Sequence, residues 1–231
     1  FSFMINTEER LEILESLLTL GVKIPCFDGI IIDKTVTVGA DTVILPNTIL
    51  IGETKIGKGC VIGPNSYICD SEVGDNTKLN NTQSYSSQIG SGVTAGPFVH
   101  IRPNCKIADN VHIGNFVEVK NSTVDEGSKL PHLLYVGDSD VGKDVNFGCG
   151  CVTVNYDGKN KSRTTVKDGA FIGCNTNLVA PVTVGENAFT AAGSTITEDV
   201  PDNALAVARN RQTVKENWVN IKKPYKRQHE K

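Results

Sequence analysis

The chain has 231 residues, of which 39% are hydrophobic and 21% charged, with a net charge of −3. That is the profile of a globular protein with enough apolar residues for a sizeable core. It offers no global basic surface for nucleic acid or an acidic membrane, and no apolar run nears the ~20 residues of a membrane helix. Seven cysteines make an odd count and no secretory leader pattern accompanies them, so reduced thiols in a cytoplasm are expected. Cys149 and Cys151 form a C-x-C pair with no second pair and no His beside it, so no metal site is expected.

Residues 1–25 read as a helical lead-in. Asn6 and Glu9 have the spacing of a capping box, Leu11, Leu14, Leu17 and Leu18 fall on one helical face, and Gly21 can end the helix. Such a helix would cover the open end of the sheet structure that follows, where backbone groups would otherwise be unpaired.

Residues 26–202 carry the main signal. Apolar residues recur every six positions at Val38, Ile44, Leu50, Ile56, Ile62 and Ile68. A second series runs Ile89, Ala95, Ile101, Ile107, Ile113, Val119, and a third runs Val166, Ile172, Leu178, Val184, skips Thr190, and returns at Ile196. A period of six is neither helical nor that of one long strand. It suits a chain that turns a corner every six residues, with Gly or Asn taking positive φ at the corners. Three short strands close one triangular coil, and coils must stack to bury their apolar positions. The expected fold is therefore all-β, a parallel β-helix of hexapeptide repeats.

Two stretches break the pattern. Residues 80–88 are polar and read as a local irregularity. Residues 155–165, N-Y-D-G-K-N-K-S-R-T-T, contain no inward-type residue and are expected to loop out, as function-bearing segments on rigid scaffolds often do. From Asn203 the hexad is lost, and 203–231 is expected to be a basic C-terminal arm or short helix, carrying Arg209, Arg211, Lys215, Lys222, Lys223, Lys226, Arg227 and Lys231 against Glu216 and Glu230.

Between Gly96 and Trp218 the residues become more specific. G-P-F-V-H-I-R-P, G-N-F-V-E-V-K, H-L-L-Y-V-G-D, N-F-G-C-G, V-N-Y-D-G-K-N-K, F-I-G-C-N-T-N-L-V-A-P-V-T-V-G, A-A-G-S-T-I-T and N-A-L-A-V-A-R-N-R-Q follow in that order. Together they resemble the acetyltransferase domain of the bifunctional glucosamine-1-phosphate acetyltransferase and N-acetylglucosamine-1-phosphate uridyltransferase family. Residues 1–95 resemble it only in repeat character and helical lead-in. The resemblance implies a left-handed coil and a bacterial cytoplasmic homotrimer with sites in the grooves between subunits. It implies acetyl transfer from acetyl-CoA to the amine of glucosamine-1-phosphate, for cell-envelope precursors. It also implies a uridyltransferase domain in the parent polypeptide, using magnesium, and the start at Phe1 rather than Met fits a piece of such a protein.

The same resemblance assigns roles. His132 matches the general base, and imidazole, with an ordinary pKa of ~6.5, suits taking a proton from an attacking amine. Glu118 matches a carboxylate that orients the base. Arg102, Lys120 and Lys161 match the sugar-phosphate contacts, where a planar guanidinium and mobile ammonium groups suit a dianion. Tyr135 and Asn146 match residues holding the sugar, and Asn155 and Tyr156 match contacts near the acetyl group and amine. For acetyl-CoA the matching positions are Cys149, Cys174, Ala192 and Arg209, the last meeting a phosphate. Cys149 and Cys174 depart from the small Ala and Ser expected there, and a thiol at Cys149 would expose the enzyme to alkylation. Taken singly, each of these side chains is more simply a surface charge or a satisfied polar group; the ordered motifs are what carry the assignment. Rival readings are a hexapeptide acyltransferase for another acceptor, which three phosphate-facing cations argue against, and a non-catalytic trimerising scaffold. Zinc-hydratase chemistry is disfavoured because the His residues lack a tight pair.

Overall fold

The computed structural model describes residues 7–222. Helix α1 spans Thr7–Thr19, with Glu8 and Glu9 in its first turn, where carboxylates complement the helix dipole. Asn6, the proposed capping partner of Glu9, lies outside the described residues, as do Lys223, Lys226, Arg227, Glu230 and Lys231 of the basic arm. Leu14 and Leu17 are buried, but Leu11 and Leu18 are exposed, so the apolar stripe is narrower than the sequence suggests. The helix ends in a Schellman arrangement: Gly21 takes φ 84°, and Val22 N–H donates to Leu17 O at 3.1 Å. Arg10 ties α1 to the first coil by donating to the carbonyls of Ile30 and Phe27.

Beyond α1 the chain winds into stacked coils of short parallel strands. One face is a nine-stranded sheet. The other two faces join into one 18-stranded sheet because two nine-residue strands, His112–Lys120 and Lys129–Gly137, run unbroken around the corner between them. A side chain on Gly114 would collide with the Pro131 carbonyl, so glycine is what lets these two strands stack closely. Ile44, Ile62, Leu79, Ala95, Ile113, Leu130, Phe147 and Ile172 are among the inward residues forming the continuous core.

The interruptions resolve physically. Residues 80–88 are a continuous part of the coil, not an irregularity: Gln83–Tyr85 pair in register with Tyr67–Cys69, and Thr82–Ser84 with Val99–Ile101. The phase slips because the inward positions Ile68, Val73, Leu79, Ser84 and Ile89 fall one residue short of a hexad at three steps. Hydroxyls fill the interior there and stay satisfied, as in Ser71 Oγ to Ser84 Oγ at 3.1 Å. Thr190 plays the same part, accepting from Gly173 N–H at 3.0 Å.

The chain leaves the coil after Val154 and returns at Thr164. Its last two residues, Thr164 and Thr165, pair with Ser139 and Asp140, and both Asn155 and Thr164 are buried. So the segment does contain inward residues, at its two ends. At the other end, Leu205–Ala206 still pairs with Phe189–Thr190, so the coil continues past Asn203. Helix α2 spans Trp218–Lys222.

Most corner residues with positive φ are Asn, Asp or Gly. Three are bulky: Phe98 at 61°, Phe116 at 58° and Leu133 at 49°. Phe98 and Phe116 stack with centroids 5.1 Å apart, and all three are exposed. A bulky residue in this region costs roughly 1–3 kcal/mol, a strain that tends to mark functional positions.

Candidate functional site

Two edges of the coil gather the candidate residues. The first is the corner at Phe98, Phe116 and Leu133, and His132 immediately precedes Leu133. Its in-register neighbour on the previous coil is Asn115, and His132 Nδ1 lies 3.1 Å from Asn115 Oδ1. With Nδ1–H donated to that oxygen, Nε2 carries no partner within the described residues. The next coils continue this column. Gly150 N–H donates to Leu133 O, Asn175 N–H to Cys149 O, and Gly193 N–H to Cys174 O. Cys149, Cys174 and Ala192 therefore line up after His132 along one edge. The Arg209 side chain lies against Gly193, its Cδ 3.7 Å from where a Cβ would stand. Cys174, Ala192 and Arg209 are exposed and Cys149 half-buried. Cys151 points inward instead, its Sγ 3.0 Å from Gly173 O, and burial pushes its thiol up to about 11.

The second edge is the next corner along the same strands, at Asn121 and Asp138. Lys120 Nζ sits 3.4 Å from Asp138 Oδ2. Asn121 Nδ2 donates to Asp138 Oδ1 at 2.5 Å, and Asn155 Nδ2 donates to Asp138 Oδ2. Burial alone would raise the Asp138 pKa, but these donors and the Lys120 charge hold it below the usual carboxylate range. Asn155 Nδ2 also reaches the Tyr135 hydroxyl at 3.4 Å. Tyr135 folds along its strand over Gly137, where any side chain would run into the ring. Beside it Glu118 is held by Arg102, with Nη1 to Oε1 at 2.9 Å.

The looped-out segment is a built hairpin. Tyr156 and Lys161 form an antiparallel bridge, and Asp157 Oδ1 accepts from Lys159 and Asn160 N–H at 2.7 and 2.6 Å. Arg163 anchors its far end on the Asp140 carboxylate and on the Ser139 and Asn121 carbonyls. The hairpin sets Lys161 beside Lys120, which pushes the Lys161 pKa down. Lys120 itself is held up, by Lys161 first and then by Asp138.

The single chain thus brings Arg102, Glu118, Lys120, Tyr135, Asn155 and Lys161 together on one face and corner. It brings His132, Cys149, Cys174, Ala192 and Arg209 together along another edge. No hydrogen bond or ion pair joins the two sets among the described residues, although Tyr135 stands only three residues from His132 on the same strand, with the bend at Leu133 between them. Tyr156 is exposed, its hydroxyl donating to Gly158 O at 2.7 Å. Asn146 lies on the far side of the His132 corner, in register with Lys129 and Phe171. Within one chain Glu118 is in register with Tyr135 and its carboxylate is engaged by Arg102, while the His132 imidazole meets Asn115 Oδ1. A depression on the nine-stranded face, lined by Asp125, Asp140 and Lys167, holds none of these residues. Asn115, Asn121, Asp138 and Arg163 escaped the sequence reading because their contacts run between coils, and only the true coil length aligns them.

The hexapeptide signal is independently matched. A model of the bacterial transferase hexapeptide (six repeats) covers residues 35–70, 86–121 and 163–198. The chain is 59% identical over 189 residues to the bifunctional protein GlmU of Geobacillus sp. (strain WCH70), covering 82% of this chain and 41% of that protein. It is 52% identical over 213 residues to bifunctional GlmU of Clostridioides difficile (strain 630), covering 92% of this chain and 46% of the relative. With GlmU of Caldanaerobacter subterraneus subsp. tengcongensis it shares 57% over 210 residues, or 91% and 46% of the two chains. The chain belongs to the hexapeptide-repeat transferase family. Within that family it corresponds to the C-terminal acetyltransferase domain of GlmU, and it spans less than half the length of the GlmU proteins it matches.

Proposed function

We propose that this chain transfers the acetyl group of acetyl-CoA to the amine of glucosamine-1-phosphate, releasing CoA and N-acetylglucosamine-1-phosphate. The observation that carries the reading is the Arg102, Lys120 and Lys161 cluster, set around Tyr135 and Asn155 in a chain of GlmU type. Three cations on one rigid surface suit a phosphate dianion and have no use for a neutral acceptor. Along the other edge, the small residues Cys149, Cys174 and Ala192 leave room for a pantetheine arm, and Arg209 meets a CoA phosphate. His132 Nε2 removes the proton that the amine sheds as the tetrahedral intermediate forms.

Because no bond within one chain joins the two sets, the working site is formed between copies, in a homotrimer. The His132 edge of one copy then faces the cation cluster of the next. Exposed Phe98, Phe116 and Leu133 supply an apolar ridge beside His132 for that contact. A bacterial cytoplasmic setting accompanies this reading. The test is thiol release from acetyl-CoA with glucosamine-1-phosphate, galactosamine-1-phosphate or glucosamine-6-phosphate as acceptor. Turnover selective for glucosamine-1-phosphate supports it, whereas a folded trimer that binds acetyl-CoA but acetylates none of them requires another acceptor.

A further inference from the structure

Asp138 differs from the residues at the preceding corners of its column. Ser86 and Asn104 at the equivalent corners are exposed and Asn121 is half-buried, whereas Asp138 is buried. It is covered because the chain loops out where the next corner would stand. Three donors converge on it: Lys120 Nζ, Asn121 Nδ2 and Asn155 Nδ2. An ionised carboxylate has only acceptors, so it can serve all three. An asparagine, which satisfies the neighbouring corner, would have to turn an NH2 toward one of them.

This acceptor-only character sets the orientation of Asn155. Facing a carboxylate, the amide must present Nδ2, which also reaches the Tyr135 hydroxyl, and its Oδ1 is turned away from both. Since Tyr135 receives that donated hydrogen on its oxygen, its own O–H proton is free for another acceptor. The same carboxylate holds Lys120, and with it the counter-charge that keeps Lys120 and Lys161 side by side. Other charged groups near the cluster are Arg102, already paired to Glu118, and Arg163, paired to Asp140.

We propose that Asp138 is a positioning residue for the acetyl transfer, fixing the amide of Asn155 and, through it, the phenol of Tyr135 in the orientation the reaction uses, while anchoring Lys120 for the acceptor phosphate. This rests on the acetyltransferase reading above and extends it by one residue that touches neither substrate.

The experiment is a double-mutant cycle between Asp138→Asn and Asn155→Ala, read by kcat and KM separately, with thermal denaturation and sedimentation confirming fold and assembly. Asp138→Asn is expected to lower kcat by ~10–10²-fold, the scale of a misplaced or missing hydrogen bond to a charged group. KM for glucosamine-1-phosphate should rise by a smaller factor. In the Asn155→Ala background the further kcat loss should shrink to within about twofold, because residues acting through one another are non-additive. Losses that multiply, or a single variant with wild-type kcat, would overturn the proposal. If Asp138→Asn does not assemble, Asp138→Glu keeps the charge and moves the carboxylate, and must show the same kcat loss and the same non-additivity. Wild type run alongside separates the two levels of inference. If it turns over no acceptor, the acetyltransferase reading has failed, and hydrogen exchange then decides the positioning claim. Asp138→Asn should speed exchange at the Ser162 amide, which donates to Asn155 O; unchanged protection there would refute the positioning claim.

Discussion

The two edges of the coil that carry the candidate residues are built on opposite principles. At the Asp138 edge nearly every polar group has a partner within the chain: carboxylate, amides, ammonium and guanidinium close on one another, and the hairpin is anchored by Arg163. At the His132 edge the surface is left open. Bulky residues hold strained positive φ, the aromatic rings face outward, and the thiols and Arg209 have no ion pair in the chain among the described residues. A self-contained edge can be preorganised before any ligand arrives. An open, strained, apolar edge is one whose partner lies outside the chain. The contrast is what supports the proposal that the reaction takes place between copies rather than within one.

The largest effect expected at the open edge is that of His132→Ala, which should lower kcat by ~10²–10⁴-fold with acceptor KM little changed. A rate within tenfold of wild type in a folded trimer would remove His132 from the base role. Asn115→Ala should cost less, roughly tenfold in kcat, because it frees the imidazole without removing it. At the closed edge, Lys161→Met or Arg102→Met should raise acceptor KM by about tenfold to a hundredfold, as expected for losing a charged hydrogen bond worth ~1.5–3 kcal/mol, while kcat stays near wild type.

The closed edge also predicts a pH dependence. The Lys161 pKa is pushed down by Lys120, so its charge is present below that lowered pKa and lost as pH rises through it. Acceptor KM should climb on the alkaline side, and Lys120→Met should move the climb to higher pH; an unshifted climb would separate the two lysines. Asp138 behaves oppositely. Its folded pKa lies below the ordinary ~3.9, so its contribution to stability is full above the unfolded value and is lost as pH falls through the depressed one. The smallest expected effects are structural. Phe116→Asn should relieve backbone strain of roughly 1–3 kcal/mol in the chain yet weaken trimer assembly. Sedimentation should show dissociation at lower dilution, and unchanged assembly would mean the ridge is not a contact. Cys149→Ala with Cys174→Ser should keep activity within a few-fold and abolish any inactivation by alkylation that acetyl-CoA prevents.

Much of this architecture was legible in the hexad. Gly, Asn and inward Ile or Val recurring every six residues leave few alternatives to stacked triangular coils. What misled was treating inward positions as apolar. Ser84, Thr82 and Thr190 fill the core and bond to neighbouring hydroxyls or carbonyls, so a continuous coil looked broken. The positions of Thr164 and Leu205 were missed for related reasons, since strand pairing and not hydrophobicity keeps them in the coil. At the site, the charged residues were visible as types, but which of them meet depends on one-residue contractions and on the 25-residue step at the hairpin. That is why Asn115 beside His132, and Asp138 beneath Lys120 and Asn155, emerged only from the folded chain.

The central claim, that the His132 edge of one copy works on the cation cluster of another, is tested most directly by mixing two variants that each turn over little at an acceptor concentration far below the raised KM of the lysine variant. His132→Ala and the double variant Lys120→Met with Lys161→Met are dissociated, combined and reassembled, and thiol release is measured against each variant alone. The account predicts that mixed trimers regain a substantial fraction of wild-type turnover, because some grooves then receive an intact His132 from one copy and intact lysines from its neighbour. Mixed trimers that form, by native mass spectrometry, and turn over no faster than their parents at that acceptor concentration would contradict it and place the whole site within a single chain.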